Sequence, residues 1–329
     1  NTLSTNKSKL KCDGNKIKLM DSNWNYGYWD ISNSAEVKLD KGNETYITST
    51  TNIKIQDFDH KPLLLKFKLP ISIVNRRFNF GNLKANFNLE SFPLGALNSR
   101  LKTSLAGNLN TNGNFEGPLS SLNSRIKISL DNPQVNGIRL REKWKGNFTR
   151  VPNEEKWGSL KMNSEGSSFP GYLQLNFNKE GNFNDLVFNR LDGKLTLNPK
   201  LNSFEWEADK FKLDRVEVAF PPEKSFKRVF GEVSGKGIFA LDPIFINGEL
   251  NLDYFRLLGF KLKQASIKGQ IENSEFNLTG ELIPSENGKI KFDINKKSEF
   301  SLLARVEDVS SSWIAATALE IPKLGLKYS

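Results

Sequence analysis

The sequence predicts an all-β protein, an elongated and curved antiparallel β-groove with two short helices. Apolar residues recur at every second position in about twenty stretches, which is the side-chain period of a strand with one buried face. Turn sequences such as "PSENGK" and "LNPK" separate these stretches. Only two stretches have helical spacing, too few for the helix-connected strands of a parallel sheet.

The strands follow from this alternation in chain order. One face is apolar in each of "PLLLKFKLPISI", "SRIKISL", "YLQLNFN", "KIKFDIN" and "SEFSLLARV". A first helix is expected near 91–102, where Ser91 and Pro93 precede leucines at helical spacing. A second is expected near 310–321, where serines precede Trp313 and a proline follows.

The composition favours a thin core and an extended shape. Hydrophobic residues make up 37% of the 329 residues, below the roughly 45–50% of globular chains. The net charge of +10 is expected to lie on solvated strand faces. Because no Arg-rich helix or zinc-finger spacing occurs, nucleic acid is not an expected partner. The sequence contains no run of 18 apolar residues that would indicate a membrane-spanning helix. We interpret the sequence as a piece of a longer protein.

Glycine falls repeatedly on the apolar phase of the strands. In "GEVSGKGIFALDP" that phase contains Val233, Gly235, Gly237 and Phe239, and similar patterns recur in "SLAGNLNTNGNFEG" and "ASIKGQIE". Two interpretations are open. The glycines allow the sheet to bend, or they leave notches in which acyl chains lie. The second requires ordinary strand dihedral angles at Gly235, so that Gly235→Leu would be tolerated.

No catalytic or metal-binding arrangement is apparent, so neither an enzyme nor a cofactor is expected. His60 is the single histidine, and its setting in "DFDHKP" predicts a surface turn. The single cysteine, Cys12, leaves no second thiol to complete a zinc site or an intrachain disulfide. "GKGIFA" lacks the Gly-Lys-Ser/Thr ending of a phosphate loop.

Two stretches carry repeated Gly-x-Leu elements, and the first also contains Pro-Leu and Gly-Pro-Leu. They are residues 89–140 and 231–292, which together cover much of the chain. The matching positions in the first stretch are Pro93, Leu94, Gly107, Gly113, Gly117, Pro118, Leu119, Pro133 and Gly137. This cadence resembles the TamB family of AsmA-like proteins, which are related to a translocon component of the chloroplast inner envelope.

The resemblance implies a long β-taco with an apolar interior in the periplasm of a diderm bacterium. An inner-membrane anchor would lie outside this sequence. The implied function is outer-membrane biogenesis, through protein translocation and assembly and through phospholipid transport between the membranes. The implied partners are phospholipid acyl chains and an outer-membrane barrel of the BamA type.

The resemblance and the alternation together divide the chain and select a candidate lipid groove. The expected segments are groove repeats in 1–88, a TamB-like segment in 89–230 and a second such segment in 231–329. The candidate groove residues share the apolar phase of their strands and are Gly107, Gly113, Phe115, Val233, Gly235, Gly237, Phe239, Leu250, Leu252, Ile267, Phe276, Leu278, Ile290, Phe292 and Ile294. The alternative functions are a structural or adhesive secreted β-repeat protein without lipid cargo, and a carbohydrate-binding β-sandwich pair.

Overall fold

The structure is a computed structural model, and it describes most of the chain. The described residues are 3–14, 16–26, 29–39, 45–55, 60–74, 77–98, 103–151, 156–166, 168–219, 225–241, 243–273, 275–297 and 299–320. The predicted all-β class is confirmed, because strands dominate these residues and every pairing detailed below is antiparallel.

The described strands number 23, and most are between 7 and 14 residues long. The first twelve are β1 (Leu3–Asp13), β2 (Lys16–Tyr26), β3 (Trp29–Leu39), β4 (Thr45–Ile55), β5 (Leu63–Val74), β6 (Arg77–Phe80), β7 (Leu83–Pro93), β8 (Leu105–Gly117), β9 (Asn123–Val135), β10 (Ile138–Leu140), β11 (Lys143–Arg150) and β12 (Gly158–Glu165). The others are β13 (Gly171–Phe177), β14 (Phe183–Arg190), β15 (Gly193–Pro199), β16 (Phe204–Lys212), β17 (Val216–Ala219), β18 (Phe226–Leu241), β19 (Ile244–Leu257), β20 (Phe260–Glu272), β21 (Glu275–Pro284), β22 (Lys289–Lys296) and β23 (Phe300–Glu307).

The chain divides into two compact units that interleave in sequence. The first consists of Asn1–Pro133, Lys143–Met162 and Phe177–Gly181, and the second of Gln134–Glu142, Asn163–Asn176 and Asn182–Ser329. The division into 1–88, 89–230 and 231–329 that the sequence suggested remains a prediction.

Strands that follow one another in the chain mostly pair with one another in each unit. In the first unit, β1 to β5 form a ladder of consecutive hairpins, β7 pairs with β5 and β8, and β9 pairs with β11. In the second unit, β14 to β16 pair in order, β16 pairs with β18, and the ladder continues in order to β23. The short strand β17 pairs with β10 and with the start of β18.

The first predicted helix begins later than expected. A 3-10 turn at Leu94–Leu97 follows β7, because β7 continues through Ser91 and Phe92 to Pro93. Ser91 is therefore not the N-cap, and Pro93 in that position forms no side-chain cap. Positions 99–102 of the expected helix lie outside the described residues.

The second predicted helix is present as α1 (Ser311–Glu320). Ser310 caps it, since the backbone N–H of Trp313 donates to the Ser310 Oγ at 3.3 Å. Trp313 is 6% exposed and packs with Leu262 and Ala265 of β20. Its indole Nε1 donates to the carbonyl of Lys261 at 2.7 Å, which fixes the helix against one end of that strand.

Candidate apolar-chain site

The second unit contains apolar rows that run from strand to strand. Directly opposed residues of antiparallel strands project to the same face. One row consists of Val233, Leu252, Ala265, Leu282, Ile290 and Val306. The next consists of Ala208, Gly235, Leu250, Ile267, Gly280, Phe292 and Ala304.

Two further rows lie beside these on the same strands. The third contains three adjacent glycines and consists of Trp206, Gly237, Gly248, Gly269, Leu278, Ile294 and Leu302. The fourth consists of Phe204, Phe239, Ile246, Ile271 and Phe276. We call these four rows the β16–β23 apolar face. The register places Val233, Phe239, Leu250, Leu252, Ile267, Leu278 and the other candidate groove residues of 231–294 on it.

Most side chains of the β16–β23 apolar face are only half-buried. Ile246 is 41% exposed and Leu302 58%, whereas Ala265 is buried at 1%. Part of the face is therefore covered by solvent and not by a second layer of protein. The residues between these positions along the strands are mainly polar, and Lys268 and Glu249 form an ion pair at 3.2 Å on the opposite face.

The backbone of Gly235 does not have ordinary strand geometry. Its φ is +151°, and a Cβ added there would lie 2.2 Å from the carbonyl oxygen of Glu249 on the next strand. The expectation that Gly235→Leu would be tolerated is therefore wrong. The short distance means that the backbone of β19 lies on the side where a Cβ would project, so this close approach requires glycine.

Side chains of adjacent strands occupy the space above other glycines. A Cβ on Gly237 would lie 2.8 Å from the Trp206 Nε1, and one on Gly280 would lie 2.6 Å from the Phe292 Cζ. Gly269 is covered in the same way by Leu278. These contacts argue against open notches, because large side chains already fill the positions without a Cβ.

The apolar face of the first unit runs from β2 to β8. Phe115 stacks on Phe87 with ring centroids 5.5 Å apart, and Phe87 also lies 3.0 Å from the position of a Cβ on Gly113. Gly107 has a φ of +103°, and its Cβ would lie 2.7 Å from the carbonyl oxygen of Asp131. The three candidate groove residues of β8 therefore also lie at bends or under an aromatic ring.

A polar cluster interrupts this face between β2 and β4. Ser22, Asn33 and Thr51 are opposed in register, and Ser49 lies beside them. The Asn33 Oδ1 accepts hydrogen bonds from the hydroxyls of Ser49 at 2.6 Å and Thr51 at 3.3 Å. The Ser22 hydroxyl donates to the Asn33 carbonyl at 2.9 Å. We call these four residues the Asn33 cluster.

His60 does not lie on a surface turn as expected, because only 7% of it is exposed. Its Nε2 accepts the backbone N–H of Ile55 at 3.1 Å, and its Nδ1 lies 2.7 Å from the carbonyl of Lys61. These two contacts require a neutral ring with the proton on Nδ1. The ring also meets Phe92 edge-on, with centroids 5.2 Å apart. His60 therefore has a structural setting, closing the end of β4.

A charged region lies on β10, β17 and β18, and it was not predicted from the sequence. Glu217 is opposed by Arg139 on one side and Arg228 on the other. The Arg139 Nε donates to the Glu217 carboxylate at 2.8 Å. Arg139 is 78 positions from Glu217 in the chain, and no sequence motif connects the three residues.

The described residues contain no group of three or more His, Cys, Asp and Glu side chains that could hold a metal ion. Within the same ranges, no helix is long and apolar enough to span a membrane. In comparisons with known proteins, no family model, curated protein or solved structure matches this chain.

Proposed function

We propose that the β16–β23 apolar face binds the acyl chains of phospholipids in a protein that supports outer-membrane biogenesis. The observation that carries the proposal is the register: four apolar rows are aligned over adjacent strands and stay half-exposed. Large contiguous apolar surfaces that face solvent are typical of lipid-binding or partner-binding sites.

The chemistry of this face suits a flexible chain better than a ligand of fixed shape. The rows offer aliphatic and aromatic groups without a hydrogen-bonding side chain apart from the indole N–H of Trp206. Burial of apolar surface is non-directional and contributes about 0.8 kcal/mol for each CH₂ group. An acyl chain would lie across the half-exposed side chains and not in the glycine positions, since neighbouring side chains fill these.

The cellular setting of the proposal rests on the resemblance of residues 89–140 and 231–292 to the TamB family. That resemblance supports a site of action in the periplasm, with an anchor in the inner membrane outside this sequence. It also supports an outer-membrane barrel of the BamA type as the protein partner, and a contribution to protein translocation and assembly.

Two isoleucines provide a matched test of the acyl-chain site. Ile246 is 41% exposed and lies opposite Phe239 and Ile271 on the apolar face. Ile238 is 39% exposed and lies opposite Asn247 and Glu205 on the other face. Each is replaced by aspartate, and phospholipid that co-purifies with the protein is measured by native mass spectrometry and lipid extraction.

We expect Ile246→Asp to lose most of the bound phospholipid, because a carboxylate among acyl chains is costly to desolvate. Ile238→Asp should keep the wild-type amount. Cells that lack the protein should regain an intact outer membrane with Ile238→Asp but not with Ile246→Asp. A wild-type protein that carries no phospholipid would contradict the proposal and favour a structural or adhesive protein without lipid cargo.

A further inference from the structure

A cavity of about 230 Å³ in the second unit is lined by three arginines among eight residues. The arginines are Arg141, Arg215 and Arg228, and the other lining residues are Asp214, Glu217, Phe169, Val229 and Phe230. The volume is several times the roughly 30 Å³ that a water molecule occupies in the liquid. The cavity therefore has room for a small ion with part of its hydration.

The charges around this cavity do not balance. The Glu217 side chain is 6% exposed and is satisfied by Arg139, whose Nε donates at 2.8 Å. Arg141 and Arg228 each place their Nε 3.8 Å from Glu217, which is beyond hydrogen-bond distance. Three guanidinium groups, those of Arg139, Arg141 and Arg228, therefore surround the single carboxylate of Glu217. Arg215 and Asp214, one of each charge, also line the cavity.

The backbone holds two of these arginines together. The N–H of Arg141 donates to the carbonyl of Arg215 at 2.9 Å, and Arg215 has a φ of +75°. Arg215 lies in the turn that precedes β17. The guanidinium groups of Arg141 and Arg228 remain accessible, since their side chains are 42% and 57% exposed.

A buried ion pair fixes another wall of the cavity. Arg190 and Glu142 have side chains that are 0% and 2% exposed, and the Arg190 Nη1 donates to the Glu142 Oε2 at 3.2 Å. The same Nη1 donates to the carbonyl of Phe169 at 3.0 Å. This bond holds the backbone of Phe169, which is one of the residues that line the cavity.

We infer that this cavity binds a phosphate oxyanion, either free phosphate or the phosphodiester of a lipid headgroup. Guanidinium groups bind phosphate oxygens through paired, charge-assisted hydrogen bonds. The partly apolar walls strengthen this attraction by restricting water. The inference uses none of the residues of the β16–β23 apolar face, so the tests of the two proposals are independent.

The test is titration calorimetry with two probes, inorganic phosphate and dihexanoylphosphatidylglycerol below its micelle concentration. We expect wild-type protein to bind at least one of them saturably. Arg141→Gln and Arg228→Gln should each weaken that binding at least tenfold. Arg305→Gln is the matched control, because it removes the same charge from an exposed position on β23. It should leave the affinity unchanged, and circular dichroism verifies that each variant is folded.

Glu217→Gln adds a test in which the affinity for the probe should increase. Loss of its charge frees the guanidinium groups from a competing anion, so affinity for the probe should rise. Saturable binding of phosphate would identify free phosphate as a ligand, and binding of the lipid probe alone would identify the headgroup. The inference is overturned if neither probe binds in the millimolar range. It is also overturned if Arg305→Gln weakens binding as much as Arg228→Gln, or if Glu217→Gln weakens it.

Discussion

The apolar faces of the two units fill their middle rows in different ways. In the first unit, the row through Asn33 is polar on β2 to β4, where hydroxyls and an amide form hydrogen bonds within the face. In the second unit, the corresponding feature is a row of three glycines, of which Gly237 is covered by Trp206 and Gly269 by Leu278.

The difference shows two solutions to the same packing problem. A half-buried polar group must be hydrogen-bonded, and the Asn33 cluster meets that requirement internally. Glycine has no side chain to satisfy, but it needs a neighbour to fill its place. Only the second solution leaves an apolar surface that stays continuous across the middle strands, which is why the acyl-chain proposal concerns the second unit. The predictions that follow test whether this difference is real, beginning with the largest expected effect.

Gly235→Leu should destabilise the second unit by about 4 kcal/mol, the middle of a range of about 2–6 kcal/mol. A positive φ costs a non-glycine residue about 1–3 kcal/mol, and the collision with the Glu249 carbonyl adds about 1–3 kcal/mol of overpacking. Hydrogen exchange of β18 and β19, followed by mass spectrometry, should show faster exchange. Gly166→Ala is the control, since Gly166 also has a positive φ of +66° but has open space around its Cβ position. Equal exchange in the two variants would refute the requirement for glycine that the close approach of β19 places on position 235.

Trp313→Ala should destabilise the second unit by about 3–5 kcal/mol, as expected for loss of a buried aromatic side chain. Trp313→Phe should cost less, because it keeps the ring contact with Phe260 and loses mainly the hydrogen bond to Lys261. Chemical denaturation followed by circular dichroism measures both. If the two variants cost the same, packing of α1 is not what closes this end of the sheet.

Asn33→Leu should destabilise the first unit by about 1–3 kcal/mol, because Ser49 and Thr51 lose a shared acceptor. The triple variant with Ser49→Ala and Thr51→Val removes the stranded hydroxyls and should recover part of that loss. Non-additive free energies of unfolding would demonstrate the network. Strict additivity would mean that the Asn33 cluster is a set of independent polar groups.

Glu286→Gln should have the smallest effect, and that effect should depend on pH. Hydrogen bonds from the hydroxyls of Ser310 and Ser312 hold the pKa of Glu286 below its ordinary value of 4.5. A carboxylate with a lowered folded-state pKa stabilises the fold above its unfolded pKa, and that contribution is lost as the pH falls through the folded pKa. Thermal unfolding should therefore distinguish the variant from wild type at pH 7 but not at strongly acidic pH.

The second-unit rows could be predicted well because alternation alone fixes which residues share a face of a strand. The phase of "GEVSGKGIFALDP" and "INGELNL" identified Val233, Phe239 and Leu250 as members of one face, and the register agrees. The same pattern places Gly269 of "ASIKGQIE" and Gly280 of "EFNLTGEL" on the apolar phase of their strands. The sequence could not show whether their positions were empty or filled, because that depends on the opposing strand.

His60 and the arginine cavity show where prediction from the sequence failed. His60 follows acidic residues, yet a backbone N–H and Phe92 surround it. Arg139, Glu217 and Arg228 are brought together only because short strands pair. Neither arrangement has a local periodicity from which it could be inferred.

The sequence by itself determined the all-β class, the apolar phase of each strand and the position of α1, since these follow from side-chain alternation and capping within a few residues. The tertiary structure alone decided the backbone angle of Gly235, the filling of the glycine row and the charge imbalance around Glu217. These depend on which residue lies opposite on the next strand. Strand pairing sets that register, so the chemistry between strands is a property of the folded sheet.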